Sequence, residues 1–239
     1  MTAPVAEVAL AVSIPVVTAT AGGIAAAYRP PGMRLRSGVQ HFAAGLVFAA
    51  AATELVPDLS HDNHRIAITV GFAIGLALML AVEFLPARIL GPERADSPAS
   101  ALTAIGIDVF IDGLLIGIGF ARGGHTGILL TAALTVELAF LGLAIAASLQ
   151  AAGATRRTVI ATTFGLSLLV AAGGILGATA LAHLTGAGLT ATLAFGTVAL
   201  LFLVTEELLA EAHERPDTPL LTAMFFVGFL AMLLASTFA

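Results

Sequence analysis

Eight apolar runs, each long enough to cross a bilayer and each closed by a polar link, constrain this chain more than anything else in it. A spanning helix needs about 20 predominantly apolar residues. The runs cover residues 5–28, 39–57, 66–85, 100–121, 127–150, 158–181, 187–210 and 218–238. The links are chemically legible as breaks. Arg29-Pro30-Pro31-Gly32 ends the first run, Asp58 to Arg65 separates the second from the third, and Pro86 to Pro98 is the longest link. Arg122-Gly123-Gly124-His125, Gly153 to Arg157, His183 to Gly188 and Glu211 to Pro219 make the others. Composition points the same way: 59% of residues are hydrophobic and 10% charged, against roughly 45–50% and about 25% in soluble domains. So few charges could not coat so much apolar surface in water. The expected fold class is all-α, a polytopic membrane protein of eight transmembrane helices forming one domain over residues 1–239. The lipid bilayer is its first partner, no nucleic-acid partner is expected, and a homodimer is left open.

The chain has no cysteine, which excludes disulfides, thiolate metal sites and thiol catalysis. Residues 1–10 carry no basic segment, so the first run is expected to be a retained helix rather than a cleaved signal. Links after runs one, three, five and seven hold Arg29, Arg34, Arg36, Arg88, Arg94, Arg156, Arg157 and Arg215, whereas those after two, four and six hold Arg65 and Arg122. Arginine-rich links stay in the cytoplasm. Both termini are therefore expected outside it, in a protein of the cytoplasmic (inner) membrane.

Acids inside the apolar runs need a physical explanation. Asp108 and Asp112 lie near the middle of the fourth run, one turn apart on one helical face, and Glu137 lies near the middle of the fifth. An acid at helix centre costs roughly 2.5–3.5 kcal/mol, so three together cost about 8–10 kcal/mol uncompensated. No Arg, Lys or His lies in the central stretch of any run. The remaining compensations are protonation with hydrogen bonds to Thr103, Thr131 or Thr135, surrounding water, or a bound cation. One divalent ion satisfies several carboxylates at once.

Two further clusters sit at run ends. Glu54, Asp58, His61, Asp62 and His64 close the second run; Glu206, Glu207, Glu211, His213 and Glu214 close the seventh. Glu54 shares a face with Asp58, and Glu207 with Glu211. Asp62, His64 and Glu214 fit solvated helix ends, while Glu54 and Glu207 lie inside apolar sequence and suit the two mouths of a path. His41, His125 and His183 are expected to be interfacial polar residues, and Glu83 to reach the headgroups. Two short internal matches accompany these acids. Glu54-Leu55-Val56-Pro57-Asp58 parallels Glu207-Leu208-Leu209-Ala210-Glu211, and Asp108 stands five residues before Gly113-Leu114 as Glu137 does before Gly142-Leu143. Helices two and seven run in opposite directions, as do four and five, so an inverted repeat around a midplane site is expected.

These residues resemble the ZIP (Zrt/Irt-like) family of metal transporters. Phe42-Ala43-Ala44-Gly45-Leu46-Val47 leading into Glu54-Leu55-Val56-Pro57-Asp58 resembles that family's second helix, and Glu206-Glu207-Leu208-Leu209-Ala210-Glu211-Ala212-His213 its seventh. The resemblance covers all eight spans and implies a 3+2+3 bundle with a metal site between helices four and five. The central motifs depart from the pattern. In Asp108-Val109-Phe110-Ile111-Asp112-Gly113, Asp108 stands for the family's His and Val109 for its Asn; in the fifth helix Glu137 stands for His, Phe140 for Pro and Leu141 for Glu. An all-oxygen site of Asp108, Asp112, Glu137 and water follows, and carboxylates suit harder ions while imidazole favours Zn²⁺.

The expected function is transport of a divalent cation, Mn²⁺ or Fe²⁺ ahead of Zn²⁺, without enzymatic activity. Glu54 and Asp58 would collect the ion, Asp108, Asp112 and Glu137 bind it, and Glu207, Glu211 and His213 receive it. Two alternatives stand beside this: a ZIP-like fold that senses metal or moves protons or another solute, and an intramembrane hydrolase using an aspartate pair.

Overall fold

The computed structural model describes residues 5–90, 97–181, 183–213 and 218–238; Arg94, Glu214 and Arg215 lie outside them. Among the described residues there is no strand, and eight helices are long and apolar enough to span a membrane. They are α1 (Val5–Tyr28), α2 (Arg34–Ser60), α3 (Arg65–Pro86), α4 (Ala99–Arg122), α5 (Gly124–Ala151), α6 (Arg156–Leu181), α7 (Ala187–Leu208) and α8 (Pro219–Phe238). The chain is an all-α integral membrane protein.

Local chemistry sets the helix ends. Ser97 caps the start of α4 by accepting a hydrogen bond from the Ser100 amide, and Thr155 caps α6 by accepting one from Thr158. The second helix begins at Met33, directly after Pro30-Pro31-Gly32 and well before the apolar run starting at 39. Arg34, Arg36, Gln40 and His41 interrupt the apolar signal there, but none of them breaks a helix. His41 consequently lies two turns inside α2 and is 1% exposed.

The helices pack in two groups. In one, α1 lies against α5 and α6, and α4 lies against α5 and α6; in the other, α8 lies against α2 and α3 against α7. The groups meet chiefly where α2 crosses α5. Half or more of α2, α4, α5 and α7 is buried (50–61%), against 17% of α3 and 11% of α8. The outward faces of α3 and α8 carry Ile66, Phe72 and Phe84, and Phe226, Leu230 and Leu234. Such faces suit the apolar interior of a bilayer rather than water.

An inverted repeat is written into this packing. In α4 and α6, Gly113 rests on the Val170 carbonyl and Gly173 on that of Phe110; in α5 and α1, Gly142 rests on Ala19 and Gly22 on Ala139. Shifting the α4 pair by 29 residues gives the α5 pair, and shifting the α1 pair by 151 gives the α6 pair. Likewise Gly228 of α8 sits on Phe42 of α2 as Gly75 of α3 sits on Phe195 of α7, both members displaced by 153 residues. Each matched pair of helices runs in opposite directions. Helices this close need glycine, because a Cβ at Gly113 would overlap neighbouring backbone.

Candidate metal centre

Asp108, Asp112 and Glu137 meet at the centre of the first group. Each is at most 5% exposed, and each offers an oxygen within 4.8 Å of those of the other two. The helical period puts Asp108 and Asp112 on one face of α4, and the α4–α5 contact brings Glu137 opposite them. Oxygens on opposite sides of a cation with bonds of about 2.1–2.4 Å stand about 4–5 Å apart, so one ion can touch all three.

The threonine alternative is not realised. Thr131 donates its hydroxyl hydrogen bond to the Gly127 carbonyl and Thr103 to that of Ala99, both within their own helices. Asp108 Oδ2, Asp112 Oδ2, Glu137 Oε2 and Thr135 Oγ1 are buried with no hydrogen-bond partner among the described residues. Buried polar atoms are normally satisfied, and orphaned ones call for an unseen water or ion. The donor set is carboxylate oxygen throughout, which fits a hard or borderline divalent cation.

Glu207 extends the cluster, lining one small cavity together with Glu137. It lies in a π-helical stretch of α7, Leu203–Leu208, and its counterpart Glu54 lies in another in α2, Ala51–Leu55. Such bulges re-aim side chains and occur often at functional sites. Gln40, Glu137, Phe140, Leu141, Ala144 and Glu207 line a cavity of ≈ 20 Å³, room for about one water. Glu207 also borders a cavity of ≈ 610 Å³ that includes Arg36, Glu83 and Glu206 and opens where the arginine-rich links lie. Beyond it, His41 and His213 stack edge to face with centroids 5.2 Å apart, and Ser37 donates a hydrogen bond to the Ala212 carbonyl. Glu211 falls in the last helical turn, Leu209–Ala212, and its side chain lies outside the described residues.

At the opposite end an open surface cavity of ≈ 460 Å³ is lined by Pro57, Asp58, His61, Asp62, Asn63 and His64, and apolar packing separates it from the triad. Leu55, Ile116, Leu130 and Leu134 are buried between the triad and that surface. Glu54, 8% exposed, accepts hydrogen bonds from Thr126 (3.0 Å) and Thr53 (3.3 Å), with His125 Nδ1 3.6 Å away. Asp58 is paired with Arg122 at 2.7 Å. The structure thus joins Glu54 and Asp58 to residues of α4 and α5, and does not bring them to the central triad. Asp62 accepts hydrogen bonds from Thr190 and from the His64 amide and ring, which hold its carboxyl at about 2. It anchors the α2–α3 link to the start of α7.

No family model matches this chain, and no curated protein is significantly similar to it. The structure therefore carries the functional argument. It adds Gln40 and Thr126 to the residues read from sequence, and gives His41, Arg122 and His125 contacts that the sequence did not show. Their one sequence signal was polarity at the edges of apolar runs, which headgroup-facing residues share.

Proposed function

We propose that this protein moves a divalent metal cation, of the Mn²⁺, Fe²⁺ or Zn²⁺ type, through the carboxylate site between α4 and α5. The observation that carries this reading is a fully buried triad with an orphaned oxygen on every member, next to a water-sized cavity and a wide vestibule. Intramembrane acids in a bundle interior mark ion pathways, and a midplane site between inverted repeats suits alternating access. The repeat symmetry and the α4–α5 placement support kinship with the ZIP transporters, of which this would be a divergent member without the usual histidine ligands. The arginine distribution supports a topology with the vestibule facing the cytoplasm and both termini outside.

In this reading Asp108, Asp112 and Glu137 replace the ion's water shell. Glu207 then draws it toward the vestibule, where Glu211 and His213 receive it. Carboxylates suit harder ions such as Mn²⁺ while imidazole draws Zn²⁺, and on that ground Mn²⁺ or Fe²⁺ stands ahead of Zn²⁺ in this reading. Flux of Mn²⁺ into proteoliposomes tests the proposal: Asp108→Ala and Glu137→Ala should each abolish it while expression is preserved. Wild-type flux in both variants rejects it.

A further inference from the structure

The pathway has unequal ends although the fold is nearly symmetric, and the difference lies in a few named contacts. At the vestibule end the two helix groups stand apart around ≈ 610 Å³ of space. At the other end they are fastened. Asp58, on the last turn of α2, pairs with Arg122 at the end of α4, and Glu54 of α2 accepts from Thr126 at the start of α5. Both contacts cross from one group to the other. Arg122 is also the one arginine in the link between α4 and α5.

We infer that the Arg122–Asp58 pair, seconded by the Thr126–Glu54 bond, is a releasable clasp that holds this mouth shut. In it Arg122 occupies the place that a cation arriving from solution would take. The inference rests on the cation-pathway reading above and adds Arg122 as a positioning residue. Three physical points support it. The clasp bonds the two carboxylates that sequence reasoning assigned to ion capture, so capture and closure compete for the same oxygens. Arg122 and Asp58 side chains are 27% and 36% exposed, and partly exposed pairs are weak and easily exchanged. A tethered guanidinium keeps Asp58 neutralised when no metal is present, and a divalent ion bound by Glu54 and Asp58 would free it. Beneath these contacts, Leu55, Ile116, Leu130 and Leu134 are among the buried apolar residues between the mouth and the triad.

The chain has no cysteine, so a single introduced thiol reports on the gate. Ala133 is 1% exposed and lies one turn before Glu137 on the same face of α5. Ala133→Cys in oriented vesicles is treated with a membrane-impermeant maleimide from the side bearing Arg122, and Ser60→Cys serves as an exposed control. Adding Arg122→Ala or Asp58→Asn should speed labelling of the buried thiol by about two- to fivefold, the population shift expected on losing one partly exposed ion pair. The two changes together should do no more than either alone, and Arg122→Lys should stay near the original rate. Mn²⁺ on that side should speed labelling when Arg122 is present and have no effect in the Arg122→Ala background. Unchanged rates in Arg122→Ala and Asp58→Asn overturn the clasp; equal acceleration by Arg122→Lys overturns the role of charge; indifference to Mn²⁺ overturns displacement by cargo. The clasp arms contain no metal, so a failure of the transport reading appears in the flux assay and leaves them standing.

Discussion

One substitution, glycine to alanine, should have opposite effects at two positions in this bundle. At Gly113 an added Cβ would fall under 3.0 Å from the Val170 carbonyl and the Gly174 amide nitrogen. These are backbone atoms of α6, and neither can rotate away. Helices α4 and α6 must therefore separate by about 1 Å, and a gap of that size forfeits a quarter to a half of each van der Waals well it opens. Overpacking of this kind costs about 1–3 kcal/mol, and a clash against backbone on both sides belongs near the top of that range. Alanine returns about 1 kcal/mol through its better helix propensity, leaving a net loss near 2 kcal/mol. For a chain of this size each kcal/mol moves Tm by about 2–4 °C, so Gly113→Ala should lower it by about 4–8 °C. At Gly165 of α6 an added Cβ meets nothing within 4 Å. Only the propensity term remains there, and Gly165→Ala should raise Tm by about 1–4 °C. Thermal unfolding of the purified proteins in one detergent measures both. Shifts of the same sign at the two positions would refute the close α4–α6 contact, and with it the geometry that supports Asp112 beside Gly113.

Two further outcomes follow from the site and the α2–α3 link. After chelator treatment, Mn²⁺ at about 100 times its Kd should stabilise the protein by about 2.7 kcal/mol, a rise of about 5–11 °C. Glu137→Gln should remove most of that rise, and an undiminished rise in that variant would remove the triad as the binding site. Asp62 titrates at about 2, first because Thr190 donates to it. A depressed carboxylate pKa adds stability above its ordinary value, near 3.9, that is lost as pH falls toward 2. Thr190→Val should move the Asp62 midpoint, followed by carboxyl-carbon NMR, back toward 3.9 and narrow that window; a midpoint still near 2 would remove Thr190 as its cause.

Asp108, Asp112 and Glu137 are legible in the sequence because the bilayer is an unforgiving solvent. An acid in the middle of an apolar run is expensive wherever its helix packs, so sequence position alone marks it as needing compensation. The spans are legible for the same reason, since length and hydropathy decide insertion almost independently of the neighbours. His41 and Arg122 show where that logic stops. Both stand at the polar edge of a run, where a headgroup contact, a buried pair and a gate look alike in sequence.

Sequence alone determined eight helices, their alternating directions and three costly charges at midspan, because those follow from a one-dimensional pattern read against a hydrocarbon slab. Tertiary structure decided that the three carboxyls converge on one point with oxygens unsatisfied, that Asp58 is bound by Arg122, and that Glu207 borders a cavity of ≈ 610 Å³. These depend on distances between helices far apart in the chain. Such distances are set by glycines fitting against backbone on another helix, and hydropathy does not encode that fit.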